Sequence, residues 1–272
     1  LVGYVTADGE PGGGVELMVK KHLQGTPGKQ TFEQGRDGTI IPVGERSLTP
    51  AVDGNDVHLT ISSSLQWYAQ NSLAQRIKDV GAKSGTVVVM NAKNGNLLSV
   101  ASYPTFNPNT DVGKKGAKLG NVAFSDVFEP GSTSKIMTVA AALEEGTVTP
   151  STPVVIPNRL NRFDASFKDS HDHPTLYRTV AGTLAESSNI GTVLVSETMT
   201  PKTLETYFRK FGVGKRSGTG FPGESAGLLA PSEQWSGTQT KTVAFGQGLS
   251  VTAIQAASVF QTIANGGVRV AP

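Results

Sequence analysis

The 272-residue sequence has no cysteine, which excludes disulfides, thiolate chemistry and cysteine-ligated zinc. That absence is compatible with an oxidising compartment without requiring one. No apolar run approaches the roughly 18 residues of a membrane helix, and the opening LVGYVTADGE lacks the basic and apolar regions of a signal peptide. The chain as given therefore reads as a soluble piece. A dominant charge is missing too: 24 Lys and Arg stand against 22 Asp and Glu, a net +2, so no basic field marks nucleic acid as a partner. The 32 glycines and 15 prolines show neither a repeat period nor a low-complexity tract, and imply many turns and long ordered loops.

What is present divides at about residue 60. Over residues 1–60, β-prone pieces such as TFEQG and VHLTI alternate with glycine-rich turns around one short helical candidate, VELMVKKHL. This reads as a small accessory module. A larger domain over 61–272 opens on a helix, for which Ser62 to Ser64 offer caps and Leu65, Tyr68, Leu73 and Ile77 a stripe. TVVVMNAKNGNLLSVAS follows, two apolar runs around Asn94-Gly95, a pair suited to a hairpin turn. After a Pro/Asn-rich loop over 103–128, STSKIMTVAAALEEG places Ile136, Val139, Ala140 and Leu143 on one side of a central helix that Gly146 ends. Three more helices are expected, at TVAGTLAES, at PKTLETYFRKFG between Pro201 and Gly212, and at VTAIQAASVFQTIANGG. Strands followed by a run of helices make the class α+β.

The chemistry centres on FEPGSTSKIM. Ser132 opens the expected helix, where unpaired N–H groups and the dipole favour developing negative charge, and Lys135 falls on the same face about a turn on. A serine hydroxyl needs a base to take its proton, and a lysine becomes that base when an apolar setting lowers its pKa. S-x-x-K also arises by chance in a chain of this length, and an N-cap serine beside a solvated lysine would explain it alone. A second group strengthens it: LAESSNIGT carries Ser187 and Asn189 in a loop between helical candidates, where both could face one cleft. S-x-x-K with S-x-N is an established signature of penicillin-binding proteins and class A β-lactamases.

Taken together, VFEPGSTSKIM, SSNIGT, FGVGKRSGTGFPGESAG and FGQGLSVTAIQ resemble the class B penicillin-binding proteins, in particular the division-type peptidoglycan transpeptidases of actinobacteria. LVGYVTADGEPGGGVELMVKKHLQGTPGK resembles that family's pedestal. The resemblance implies a penicillin-binding transpeptidase fold, an antiparallel sheet flanked by helices, behind a partial β-rich pedestal at 1–60. It implies a D,D-transpeptidase that crosslinks peptidoglycan stem peptides and is trapped by β-lactams. Ser132 would be acylated, Lys135 would accept its proton, Ser187 and Asn189 would relay protons and orient substrate, and the Ser132 N–H would supply half of an oxyanion hole. No cofactor and no metal are implied. Division-complex membrane proteins are the implied partners, on the extracytoplasmic face of the membrane, with the family's amino-terminal anchor absent from this chain.

The family's third motif, K-[ST]-G, lies beyond the FGQGLSVTAIQ helix, and the sequence stops at Pro272 before reaching it. Two lookalikes are set aside. Arg216-Ser217-Gly218 sits inside a glycine-rich turn close to Asn189, and Lys241-Thr242 is followed by Val243. A catalytically incomplete fragment or scaffold therefore stays as an alternative, as does a serine β-lactamase or D,D-carboxypeptidase, although no residue stands out to activate water. His171, Asp172 and His173, beside Asp169, read as a polar loop at the cleft mouth rather than a metal site. Glu186 reads as a surface acid, and Trp235 and Tyr103 as packing residues.

Overall fold

The computed structural model describes residues 1–116 and 119–272. Positions 117 and 118 of the loop expected at 103–128 lie outside the described residues. The chain packs as two compact units, one comprising Leu1–Thr60 with Thr105–Gly120 and the other Ile61–Pro104 with Asn121–Pro272.

In the first unit every described residue is half-buried or exposed, so backbone pairing and turns rather than a dry core hold it. Tyr4–Val5 pairs with Pro11–Gly13, and Lys29–Phe32 with Arg46–Thr49, both antiparallel. Two short helices, Gly14–Met18 and Lys20–Leu23, occupy the VELMVKKHL candidate. The VHLTI segment expected as β-prone forms no strand. β propensity is expressed only where a segment finds a ladder to join.

The second unit opens with the helix Ser63–Asp79, capped by the Ser62 hydroxyl, which accepts the Leu65 N–H at 3.5 Å. Its buried residues are Ala69, Leu73 and Ile77, an i, i+4, i+8 stripe. Tyr68, placed on the inner face by the sequence reading, is 66% exposed: it lies one residue, about 100° of rotation, from that stripe. The stripe packs on Gly85–Met90 and Leu97–Tyr103, an antiparallel pair whose turn holds Gly95 at φ +77°, a region that favours glycine. Gln66 fastens helix to sheet: its Oε1 accepts the Val100 N–H at 2.8 Å and its Nε2 donates to the Val100 carbonyl at 2.9 Å.

The core of this unit wraps the helix Lys135–Glu144. Met137 packs among Leu204, Phe208, Val213, Trp235 and Leu249, while Val139 and Ala142 pack among Ile156, Phe167, Val180, Ile190 and Phe245. Apolar clusters on both flanks explain why no single face is buried, and why Leu143, expected inside, is 37% exposed while Met137, Ala141 and Ala142 are covered. Around it lie the helices Val180–Ala185, Asn189–Ser196, Pro201–Lys210 and Ala253–Ala264. Antiparallel pairs Pro153–Ile156 with Leu176–Thr179 and Leu160–Arg162 with Ala165–Phe167 complete it. The α+β class expected from the sequence stands. Asn189–Ser196 was not anticipated as a helix, because its apolar NIGTVLVS shows no amphipathic stripe: it is buried on nearly all sides.

Gln255 fixes the glycine-rich turn. Its side chain closes a capping box with Thr252, and its Nε2 donates to the carbonyls of Gly212, Lys215 and Ala226 at 3.3, 2.7 and 2.8 Å. Within that turn Ser217 is buried and its N–H donates to Glu224 Oε1 at 2.8 Å.

Candidate functional site

Ser132 does not open an α-helix as expected. It lies in a 3₁₀ turn, Gly131–Ser134, and the α-helix begins at Lys135. The cause is upstream: Gly131 sits at φ +54° after Pro130, so the chain enters through a tight left-handed residue before winding into a regular helix. Ser132 is exposed, and neither its hydroxyl nor its N–H is hydrogen-bonded to another described residue. Its carbonyl accepts the Lys135 N–H.

The turn is braced by residues 244–251. Phe128 and Val251 exchange backbone hydrogen bonds at 3.0 Å, the Gly131 N–H donates to the Gly246 carbonyl at 3.0 Å, and Glu129 Oε1 accepts the Gly248 N–H at 2.8 Å. Thr138 Oγ1 donates to the Ala244 carbonyl at 2.7 Å. Gly246 takes φ +86°, and a Cβ there would stand 2.2 Å from the Gly131 carbonyl oxygen. Only glycine fits this approach.

Lys135 is fully buried, yet its Nζ ends on the second motif. It donates to the Ser187 carbonyl and, at 3.1 Å, to the Ser187 hydroxyl. Burial pushes the amine down to about 8, with the Asp169 carboxylate acting to a lesser extent in the opposite direction.

Ser187 is one of two described non-glycine residues at positive φ, at +57°, a conformation that costs about 1 kcal/mol or more. It closes the turn after Val180–Ala185, donating its N–H to the Leu184 carbonyl at 3.1 Å. Next, Ser188 is buried and caps Asn189–Ser196, accepting the Gly191 N–H at 2.8 Å. Asn189 is the first residue of that helix, half-buried, and its Nδ2 donates to the Lys168 carbonyl at 3.1 Å. The S-x-N loop expected from the sequence is thus the join between two helices.

The structure therefore brings Lys135 and Ser187 into contact, and ties Asn189 to the strand-following segment at 168. Ser132 stands at the turn that leads directly into the Lys135 helix. Sequence reasoning missed Asp169. Its Oδ2 accepts the Ser188 hydroxyl at 2.7 Å and its Oδ1 accepts the Ile190 N–H at 3.0 Å. Nothing local in KDSHDHP announces that role, since the partners are about twenty residues away. The rest of that run divides: Asp172 pairs with Arg159 and His171 is exposed, while His173 Nε2 stays 3.2 Å from Asp169 Oδ2. Glu186 is held by Arg178 at 2.7 Å. Trp235 is 8% exposed, with its indole N–H on the Ala230 carbonyl.

A family model described as the penicillin-binding protein transpeptidase domain matches residues 85–272. The chain is 39% identical to penicillin-binding protein PbpB of Mycolicibacterium smegmatis, over 100% of this chain and 42% of that protein. It is 33% identical to the peptidoglycan D,D-transpeptidase FtsI of Escherichia coli K12, over 98% of this chain and 45% of that protein. The chain thus spans less than half the length of these relatives. Among solved structures, penicillin-binding protein 3 of Mycobacterium tuberculosis complexed with ampicillin superposes with a TM-score of 0.88 at 36% identity, covering 100% of this chain and 57% of that one. The same protein complexed with aztreonam gives 0.87.

Proposed function

Because the chain belongs to the penicillin-binding transpeptidase family, we propose that it carries the acyl-transfer site of a peptidoglycan D,D-transpeptidase, with Ser132 as nucleophile and Lys135 as its base. The observation that supports this reading most is the buried Lys135 amine, which reaches the S-x-N motif at Ser187 from the helix that Ser132 leads into.

A neutral amine has two N–H bonds and one lone pair. Ser187 accepts from Lys135 at both its carbonyl and its hydroxyl, so the lone pair of the neutral amine is left to take the Ser132 proton directly; in a relay the Ser187 hydroxyl instead turns to donate to that lone pair as its oxygen takes the Ser132 proton. The Ser132 oxygen then forms a bond to a stem-peptide carbonyl carbon, and the oxyanion develops toward the unengaged Ser132 N–H. When the tetrahedral species collapses, the peptide C–N bond breaks and the leaving amine takes the proton back from Lys135. The ester on Ser132 is next attacked by the amine of a second stem, whose surplus proton returns to the serine, and a crosslink forms. The Asn189 amide, set by the Lys168 carbonyl, orients the stem.

A β-lactam acylates the same oxygen and stays, because its amine remains tethered in place of a departing leaving group. Glu186, the acid next to the S-x-N motif, is engaged by Arg178 and so is not free to activate water for hydrolysis. On this reading the enzyme works at the outer face of the cytoplasmic membrane, with membrane proteins of the division complex as its partners. Incubation with a stem-peptide donor and an amine acceptor tests the reading. Crosslinked product in excess of the free acid is expected, and free acid as the only product would overturn it.

A further inference from the structure

We propose that Asp169 is a positioning residue for acyl transfer, clamping the Ser187–Asn189 join so that the Ser187 hydroxyl meets Lys135; this rests on the function proposed above. The geometry is reciprocal. One carboxylate oxygen takes the Ser188 hydroxyl and the other the Ile190 N–H, the neighbouring Lys168 carbonyl takes the Asn189 amide, and His173 Nε2 meets the oxygen that also holds Ser188. Residues 168 and 169 therefore contact Ser188, Asn189 and Ile190 in turn, and leave Ser187 to Lys135. With 188–190 fixed to this template and the Ser187 carbonyl and hydroxyl fixed to Lys135, the left-handed φ of Ser187 is enforced from both sides.

The Asp169 and His173 side chains are 11% and 14% exposed, too covered for a solvated surface pair. Asp169 also sets charge. It is the carboxylate that acts on Lys135, raising its proton affinity against the effect of burial. The other charged groups nearby are engaged or in solvent: Asp172 with Arg159, Glu186 with Arg178, and Lys168 and His171 exposed. A clamp that only stiffened the fold would change stability, whereas this one also tunes the pH at which the base becomes neutral.

The test compares wild type, Asp169→Asn and Asp169→Glu for the rate of acylation by a fluorescent penicillin between about pH 6 and pH 10, together with amide hydrogen exchange at residues 188–191. Asp169→Asn is expected to slow acylation about 10- to 100-fold, to move the rising limb of the rate to lower pH because the raising carboxylate is gone, and to speed exchange at Ile190 and Gly191. Asp169→Glu keeps the charge, so the limb stays in place while the longer side chain recovers only part of the rate. A limb and an exchange pattern in Asp169→Asn that coincide with wild type would overturn the proposal. Should Asp169→Asn not fold, Asp169→Glu decides, and a wild-type rate there overturns it. Were the wild type not acylated at all, the function proposed above would fail, while the exchange measurement would still decide the clamp.

Discussion

Lys135 Nζ donates to Ser187 Oγ at 3.1 Å, joining side chains 52 positions apart. That contact turns two short motifs into one site, and its chemistry depends on the charge of the amine. Burial holds Lys135 down to about 8, so the amine loses its proton as the pH rises through that value. Acylation by a β-lactam should accordingly climb through about pH 8 to a plateau. A pre-steady-state rate profile checks this, and a rate flat from pH 6 upward would contradict it.

The same burial is a stability cost at neutral pH. A lysine whose folded pKa lies below its unfolded value binds its proton more weakly in the native state, so stability is lowest below about pH 8 and recovers as the pH rises toward the unfolded value of 10.5. Lys135→Met removes the charge and keeps the volume. It should abolish acylation and raise stability at pH 7 by about 1 kcal/mol, read by urea titration.

Ser187 offers a separation of strain from chemistry. At φ +57° a glycine relieves the backbone, whereas alanine keeps the strain and both lose the hydroxyl. Ser187→Gly should be more stable than Ser187→Ala by about 1 kcal/mol, while both acylate about 100-fold more slowly than wild type. Thermal melts and labelling rates on the pair distinguish the two effects.

Gly246 braces the nucleophile turn from outside it. A Cβ at this residue meets the Gly131 carbonyl oxygen at 2.2 Å and the Ser134 hydroxyl at 2.4 Å, contacts that force backbone to move. Gly246→Ala should cost about 2 kcal/mol or more and slow acylation by displacing Gly131 and Ser132. A calorimetric melt alongside the labelling rate checks both.

Much of this is legible in the sequence. Periodicity, caps and turn residues found the helices Ser63–Asp79, Lys135–Glu144, Pro201–Lys210 and Ala253–Ala264, because each carries a start or stop signal of its own. Motif spacing together with the family resemblance pointed to Ser132, Lys135, Ser187 and Asn189, and of these the structure brings Lys135 onto Ser187. The misses have two causes. Asn189–Ser196 is buried on nearly all sides and so lacks a polar face to betray its period. Asp169 reads as one acid in a polar run, and its partners Ser188 and Ile190 become visible only once tertiary packing folds residue 169 onto them. The Gly246 to Gly131 contact is of the same long-range kind.

The account stands on the Ser132 hydroxyl being the atom that is acylated. Peptide mapping by tandem mass spectrometry after exposure to a β-lactam tests this directly. We predict a single acyl adduct on Ser132, lost in Ser132→Ala and in Lys135→Met. An adduct on another residue, or one that persists in Ser132→Ala, would contradict it.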